Sequence, residues 1–465
     1  MLSDERIQYF LETKYEDLKE SEYDELVKNY FQESKKNWYN KEIGELTTKE
    51  LKSWRPNAVK TFWKLIRLHA KKEALKTKKL NCKGFHFPRF EGVFNQLIKN
   101  RTHKLVSGNF WESGEEISFY CEVEFDEAIF EGYGDFKNCF FYKNASFTNS
   151  VFHDSFNFMN AKFNEDVNFS FVTFKEDCGI NFSRAKFKKF CNFRITNFKG
   201  EANFTETSFS SADFSFCEFS SSTCFVRNIF DKEIDFNNTK FIKNESVLFS
   251  DINQINESVL FVSNTFNENT IFRRVDMKNV CLWQSNIEIV KFEDCSWNEK
   301  GSRIVLLDEK KIPNTEEGKL GQLELIFRRL KKNFSNNKHW EQSAKAHLSE
   351  MLMKQKNLWK ENSIFEWTIY VFYNILGGTQ DFKRPFFILF ISTTLIFPLI
   401  YSDWCFLNPC CDWNWNPIRK SLDAAIPLFK PSLEYKYWGI RYLQTIFSAI
   451  LITFFILALR KRFKQ

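Results

Sequence analysis

The chain has 465 residues, and phenylalanine supplies 56 of them, about 12% of the total, where an ordinary protein carries roughly a third of that share. Glycine (15) and proline (9) are scarce, which excludes collagen-like and Pro/Gly-rich disordered chains; the 43% apolar and 27% charged shares suit a globular chain with ample core material. The formal charge is +7, but residues 121–290 hold 17 Lys/Arg against 24 Asp/Glu, a balance of −7, so the remainder carries +14.

Residues 1–80 read as helical, acidic in the first half and basic in the second, where Phe62, Leu65, Ile66, Leu68 and His69 form an apolar stripe at helical spacing. These helices are expected to pack on each other or to cap the first turn of the repeat region; a basic helix that binds lipid or nucleic acid is the alternative. The start, MLSDERIQYF, has no apolar h-region and does not read as a secretory signal. Residues 81–120 are expected to form an irregular entry or cap.

An internal repeat begins at Phe125. The ladder runs Phe125, Phe130, Phe136, Phe141, Phe147, Phe152, Phe158, Phe163, Phe169 and Phe174, and resumes at Phe182 through Phe241 in steps of five or six residues. Phe249, Ile255, Phe261, Phe266, Phe272, Met277 and Trp283 extend it more weakly, and 26 of the 56 phenylalanines lie on it. Neither a helix nor a flat strand recurs at five to six residues, but a chain that turns a corner at each step does. Two positions before many rungs sits a small residue, as at Ala145, Ala161, Ala185, Cys191, Ala202 and Ala212, while the positions between are mostly polar turn formers. A β-sandwich rich in phenylalanine would instead show runs of period two.

Segments such as EANFTETSF, SADFSFCEF and EIDFNNTKF resemble the Phe-rich branch of the pentapeptide-repeat family. The resemblance covers residues 121–290 and implies a mainly β fold, a right-handed quadrilateral β-helix, with α-helical N- and C-terminal regions. Residues 125–277 would give about seven coils, about 33 Å long at the ladder spacing. Breaks at 174–182 and 241–261 are expected to be loops or bulges.

After a linker (291–318), residues 319–360 read as a helical hairpin joined near Ser335–Lys338, with Leu323, Ile326, Phe327 and Leu330 facing Trp340, Ala344, His347, Leu348 and Met351. Its Ala344, Ala346, Glu350 and Met351 resemble the hairpin of membrane-anchored pentapeptide-repeat proteins, as do Arg384-Pro385 and the closing ALRKRF. Residues 363–380 look like an interfacial helix. The stretches 386–401 and 442–459, within a region 384–463, are expected to be two transmembrane helices, with Pro398 able to kink the first. Basic clusters before the first and after the second place both termini in the cytoplasm of an inner-membrane protein, with the loop 402–441 outside. There Cys405, Cys410 and Cys411 could form one disulfide.

Recognisable chemistry is missing. Twelve cysteines show no CxxC pair, the six histidines form no HExxH, and there is no GxSxG, Walker loop or GxGxxG. No catalytic, cofactor-binding or metal residue is nominated, and an enzyme is not expected. Gly132-Tyr133-Gly134-Asp135 matches a potassium-filter string but stands at the start of the repeats, away from any span. The expected function is a non-enzymatic, membrane-anchored scaffold whose cytoplasmic β-helix binds a protein of unspecified identity, with self-association left open. The alternative is a membrane effector or pore-forming protein of stress or phage defence, triggered through the solenoid. A DNA mimic that binds gyrase ranks lower, because a balance of −7 with Arg184, Lys186, Lys188 and Lys189 clustered on one coil is too mild. Nucleic acid is accordingly not an expected partner; the lipid bilayer is.

Overall fold

The computed structural model describes residues 2–14, 17–32, 56–76, 79–88, 117–176, 178–242, 245–313, 318–376, 383–401, 416–425 and 438–463. They belong to two compact units, Met1–His339 and Trp340–Gln465.

The first unit is built around a coil. In one turn the chain makes four strands of two residues each, Ala145–Ser146, Val151–Phe152, Phe156–Asn157 and Lys162–Phe163. Each pairs in parallel with its counterpart one turn later, as Val167↔Ala145, Thr173↔Val151, Ile180↔Phe156 and Lys186↔Lys162. A two-residue strand points one side chain in and one out, so a corner at each end returns an inward residue every five or six positions. Repetition gives a parallel β-solenoid of about eight turns.

Inside, the rings stack in four columns. In one, Phe125, Phe147, Phe169, Phe193 and Phe214 follow at 5.2, 4.8, 5.0 and 4.7 Å between centroids. Neighbouring columns meet edge-on, as Phe169 meets Phe182 at 5.4 Å and 78°. Parallel stacking along the axis and edge contacts across it are both favourable arrangements of the ring quadrupole. The small column is broken by larger residues, Ile180 and Ile234 among them, and most of all by Phe156, whose ring lies where a Cβ on Gly134 would sit, 1.9 Å away. The filter-like string therefore has its glycine for packing: Gly134 is part of a solenoid strand, Gly134–Asp135.

Two of the four corners in each turn use a left-handed residue. One column runs Asn138, Asn160, Arg184, Glu206, Arg227, Asp251 and Arg274; the other runs Asn149, Phe171, Ile195, Phe216 and Asn238, all at φ between 49° and 59°. The breaks in the ladder are local. Two residues are added between Phe174 and Ile180, so that Thr173↔Asn197 and Phe156↔Ile180 register 24 apart. Strand Lys186–Asn192 slips register between Phe187 and Phe190. Within 241–261 the offset widens again, to Ile234↔Val259, with residues 243–244 outside the described set.

The solenoid is longer than the periodicity indicates. Strands Lys79–Asn81, His86–Phe87 and Ile117–Phe119 pair onto the first coil, and Lys291–Glu293 onto the last. Phe87 stacks on Phe130 at 4.8 Å and Phe119 on Phe141 at 4.7 Å. Of the entry expected at 81–120, residues 89–116 lie outside the described set. Near the other end Leu282, rather than Trp283, takes the core position, since Leu260↔Cys281 fixes the register.

Helices close both ends. α1 (Asp4–Glu12), α2 (Glu20–Leu26, continuing as a π-turn Val27–Gln32) and α3 (Pro56–Lys76) bring Tyr30, Phe31, Phe62 and Trp63 against the first coil, each nearly fully buried. Phe31 stacks on Phe85 at 4.7 Å, and Gln32 Nε2 donates to the Lys83 carbonyl. At the far end a short antiparallel hairpin, Glu299–Lys300 with Arg303–Ile304, leads to α4 (Asp308–Lys311) and α5 (Lys319–Asn336). The buried stripe Leu323, Ile326, Phe327 and Leu330 belongs to α5, which seals the last coil: Asn333 Nδ2 donates to the carbonyls of Ile287 and Val290, and Arg329 Nη1 to that of Ser285.

The second unit is helical: α6 (Trp340–Lys360), α7 (Ile364–Leu376), α8 (Lys383–Ile391) continuing through a π-turn (Ser392–Ile396) into α9 (Phe397–Tyr401), α10 (Asn416–Ala425) and α11 (Trp438–Phe463). The π-turn immediately precedes Pro398, which has no N–H to give the Thr394 carbonyl. Among the described residues one helix is long and apolar enough to cross a membrane, over Gly439–Leu457; Pro385–Tyr401 forms a shorter apolar helix. Cys405, Cys410, Cys411 and the aromatic patch around them lie outside the described residues.

Candidate functional surfaces on the coil and in the helical unit

With phenylalanine filling the interior, only outward positions, corners and ends of the coil can meet a partner. The first corner column is self-satisfied. Arg184 Nε donates to Glu206 at 2.7 Å, Arg227 also reaches Glu206, and Arg274 grips Asp251 with two bonds of 2.6 and 2.9 Å. Signs alternate from coil to coil, and Arg274 holds the Asp251 carboxyl down to about 2. A zipped charge ladder of this kind offers little to a ligand. The second column is different: Phe171, Ile195 and Phe216 stand on three successive coils and are 50%, 41% and 48% exposed.

Nine described cysteines are free, seven of them buried. Burial pushes the coil's thiols up, to about 11 at Cys121 and Cys295 and well beyond the usual range at Cys139 and Cys191, so these sulfurs pack rather than react. No three described His, Cys, Asp or Glu side chains gather as a metal site. His69 is held in the N-terminal cap between the Tyr23 hydroxyl, 2.8 Å from Nδ1, and the Asn81 carbonyl, 2.6 Å from Nε2. It lines an open pocket of about 510 Å³ with Asp24, Gln32, Lys83 and Glu127. His347 sits 3.4 Å from Glu350 on one face of α6.

The second unit inverts the usual burial pattern. On α8 and its π-turn Phe386, Phe387, Phe390, Ile391, Leu395 and Ile396 are exposed, and on α11 so are Leu443, Ile446, Ile450, Ile456 and Leu457. Among these helices polar side chains are buried beside Ala424, Ala425 and Leu451. Ser392, Ser421, Gln444 and Ser448 are essentially fully buried, and Tyr401 is nearly so. The Tyr401 hydroxyl donates to Gln444 Oε1 at 2.8 Å, and Gln444 Nε2 donates to both the carbonyl and the hydroxyl of Ser421, at 2.9 and 2.8 Å. Thr445 Oγ1 donates to the Ala424 carbonyl. These bonds latch the amphipathic α10 onto α11 at a depth that lies within the apolar Gly439–Leu457 stretch. An apolar exterior around small and polar interhelical contacts is an arrangement that helices also adopt in lipid.

The periodicity located the coil, but not the buried polar group on α10 and α11. Its one sequence signal is a glutamine inside an otherwise apolar stretch, which a hydropathy window averages away. Compared with known proteins, the chain matches no family model, no curated protein and no solved structure.

Proposed function

We propose that the protein is a non-enzymatic, membrane-attached interaction scaffold: a right-handed quadrilateral solenoid of the pentapeptide-repeat kind, held at the inner membrane by two C-terminal spans, with both termini cytoplasmic. The observation that carries this reading is the exposed apolar faces of α8 and α11 around the buried, hydrogen-bonded Tyr401, Gln444 and Ser421. The shorter helix reaches spanning length if Lys383 and Arg384 lie in the headgroup region ahead of it. The coil supports the scaffold half of the reading through its sealed aromatic core, its unreactive thiols and its rigid, patterned exterior.

A second reading, a membrane effector whose tail permeabilises the bilayer, draws on α10. A short amphipathic helix held between two apolar ones by Gln444 brings polar groups to membrane depth. One experiment addresses both. The full chain and the fragment 1–339 are expressed inducibly, membranes are extracted at alkaline pH, and membrane potential is followed with a dye. The full chain should resist extraction while the fragment stays in the supernatant, with potential unchanged. Release of the full chain would refute anchoring; depolarisation that disappears in Gln444→Leu would select the effector.

A further inference from the structure

The fourth strand of each turn carries a surface that the packing of the coil does not require. Its outward positions run Phe140, Lys162, Lys186 in register, and the adjoining corner runs Tyr120, Tyr142, Asn164, Lys188. Tyr120 and Tyr142 stack at 4.4 Å, and Tyr142 and Phe140 at 4.1 Å. The ammonium groups of Lys162 and Lys188 stand 5.6 and 6.0 Å from the centroid of the Phe140 ring. Lys162 and Lys186 are directly opposed on neighbouring strands, an arrangement of like charges that weakens a sheet. The register slip after Phe187 pushes the adjoining segment outward: Phe190 is 42% exposed, and its N–H is taken by Asp166. Lys189 is tied to Glu165 at 2.6 Å, whereas among the described residues no ion pair engages Lys186 or Lys188. A bulge, the exposed Lys186 and Lys188, and aromatic rings from the exposed Tyr120 to the half-buried Phe140 and Tyr142 thus converge on four successive coils.

We propose that this patch docks onto an anionic bilayer surface, laying one side of the solenoid against the lipid headgroups; the proposal rests on the membrane attachment argued above. Lysines supply attraction to anionic headgroups, and tyrosine and phenylalanine rings are the side chains that settle at the headgroup boundary. A long polyanion fits less well. Nucleic acid would track past the patch onto a coil whose remaining charge is acidic, whereas a bilayer meets a single side. Self-docking through the patch is opposed by the same lysines.

The test uses the full chain in nanodiscs of phosphatidylcholine, with or without phosphatidylglycerol, and reads amine acetylation residue by residue by mass spectrometry. Lys162, Lys186 and Lys188 should react about fivefold more slowly in the anionic discs, while the exposed Lys240 and Lys291 of the same coil react equally in both. The protection should fade in high salt as the screening length shortens. Lys186→Glu, which relieves the opposed pair and so does not threaten folding, should remove the protection at Lys162 and Lys188. Equal labelling in both lipids overturns the proposal, as does equal protection by duplex DNA added to neutral discs. A chain that never enters discs refutes the attachment itself, and the docking with it.

Discussion

A left-handed backbone residue without glycine or asparagine is where this coil departs most from its own rule. L side chains resist that conformation by about 1–2 kcal/mol, and a β-branched residue resists it most. Asn138, Asn149, Asn160 and Asn238 follow the rule; Phe171, Ile195 and Phe216 hold φ at 59° with their side chains in water. Part of the cost at Phe216 is offset by the Arg194 guanidinium, 4.8 Å from its ring centroid. Ile195 has no such contact. Ile195→Asn should therefore stabilise the coil by about 1 kcal/mol, read as a higher urea midpoint at unchanged slope. A lower midpoint would mean that the isoleucine is packed in a way its exposure does not reveal. Corners of this kind are not legible in the sequence, because an outward apolar residue looks like any other apolar residue until its φ is known. The inward ladder is legible, since every rung repeats one spacing and one ring. Phe87 and Phe119 escape it because residues 89–116 interrupt the period. Lys186, Lys188 and Lys189 stand out as charge on one coil, but the rings of Tyr120, Phe140 and Tyr142 join them only when chain separations of about two and three turns collapse into neighbouring strands.

At the scale of the element, Val280–Cys281 is the last strand of its sheet on the coil and ends a ladder whose next amide has no strand to pair with. Asp308, the first residue of α4, closes it: the Leu282 N–H donates to Oδ1 at 3.0 Å and Oδ2 at 3.2 Å, and Cys281 Sγ lies 3.3 Å from Oδ1. Burial pushes the Asp308 carboxyl up from 3.8 to about 6, against the pull of those donors. A carboxyl that keeps its proton to a higher pH when folded makes the folded state the better proton binder between those values. Stability from this group is then complete below pH 4, falls as pH rises through about 6, and stays lower above. Asp308→Asn keeps an acceptor for the Leu282 amide and removes the titration. Its melting temperature should vary less than that of the parent chain between pH 4 and 7, and the difference between the two should favour the variant most at pH 7. Asp235, also pushed up by burial, leaves a residual slope in both. Identical slopes would show that Asp308 does not titrate in this window. By composition residues 291–318 read as a linker; a single buried carboxylate turns part of that stretch into a lid.

At the scale of the whole molecule, a coil of stacked rings has no natural stopping point. Each turn buries its faces against the next, so both ends would present a disc of phenylalanine rims and a row of unpaired backbone groups, the surface on which another copy could add. The chain closes the N-terminal end with aromatic side chains of its own: Phe31 lies on Phe85 at 4.7 Å, Phe62 meets Phe87 at 5.8 Å, and Trp63 meets Phe87 at 6.1 Å. Truncating one such buried ring costs about 3–5 kcal/mol, so loss of several at once is comparable with a domain's usual margin of stability. The fragment 1–339, which keeps both ends sealed, should elute as a monomer. The fragment 79–339 keeps every strand of the coil but loses α1, α2 and α3, and should elute as larger species by light scattering, with a lower melting temperature. Its association should strengthen with salt, because what it exposes is apolar and sheet edge rather than charge. If 79–339 were monomeric and equally stable, the N-terminal helices would not be a cap, and their basic face would become the part of the first unit whose role needs a partner.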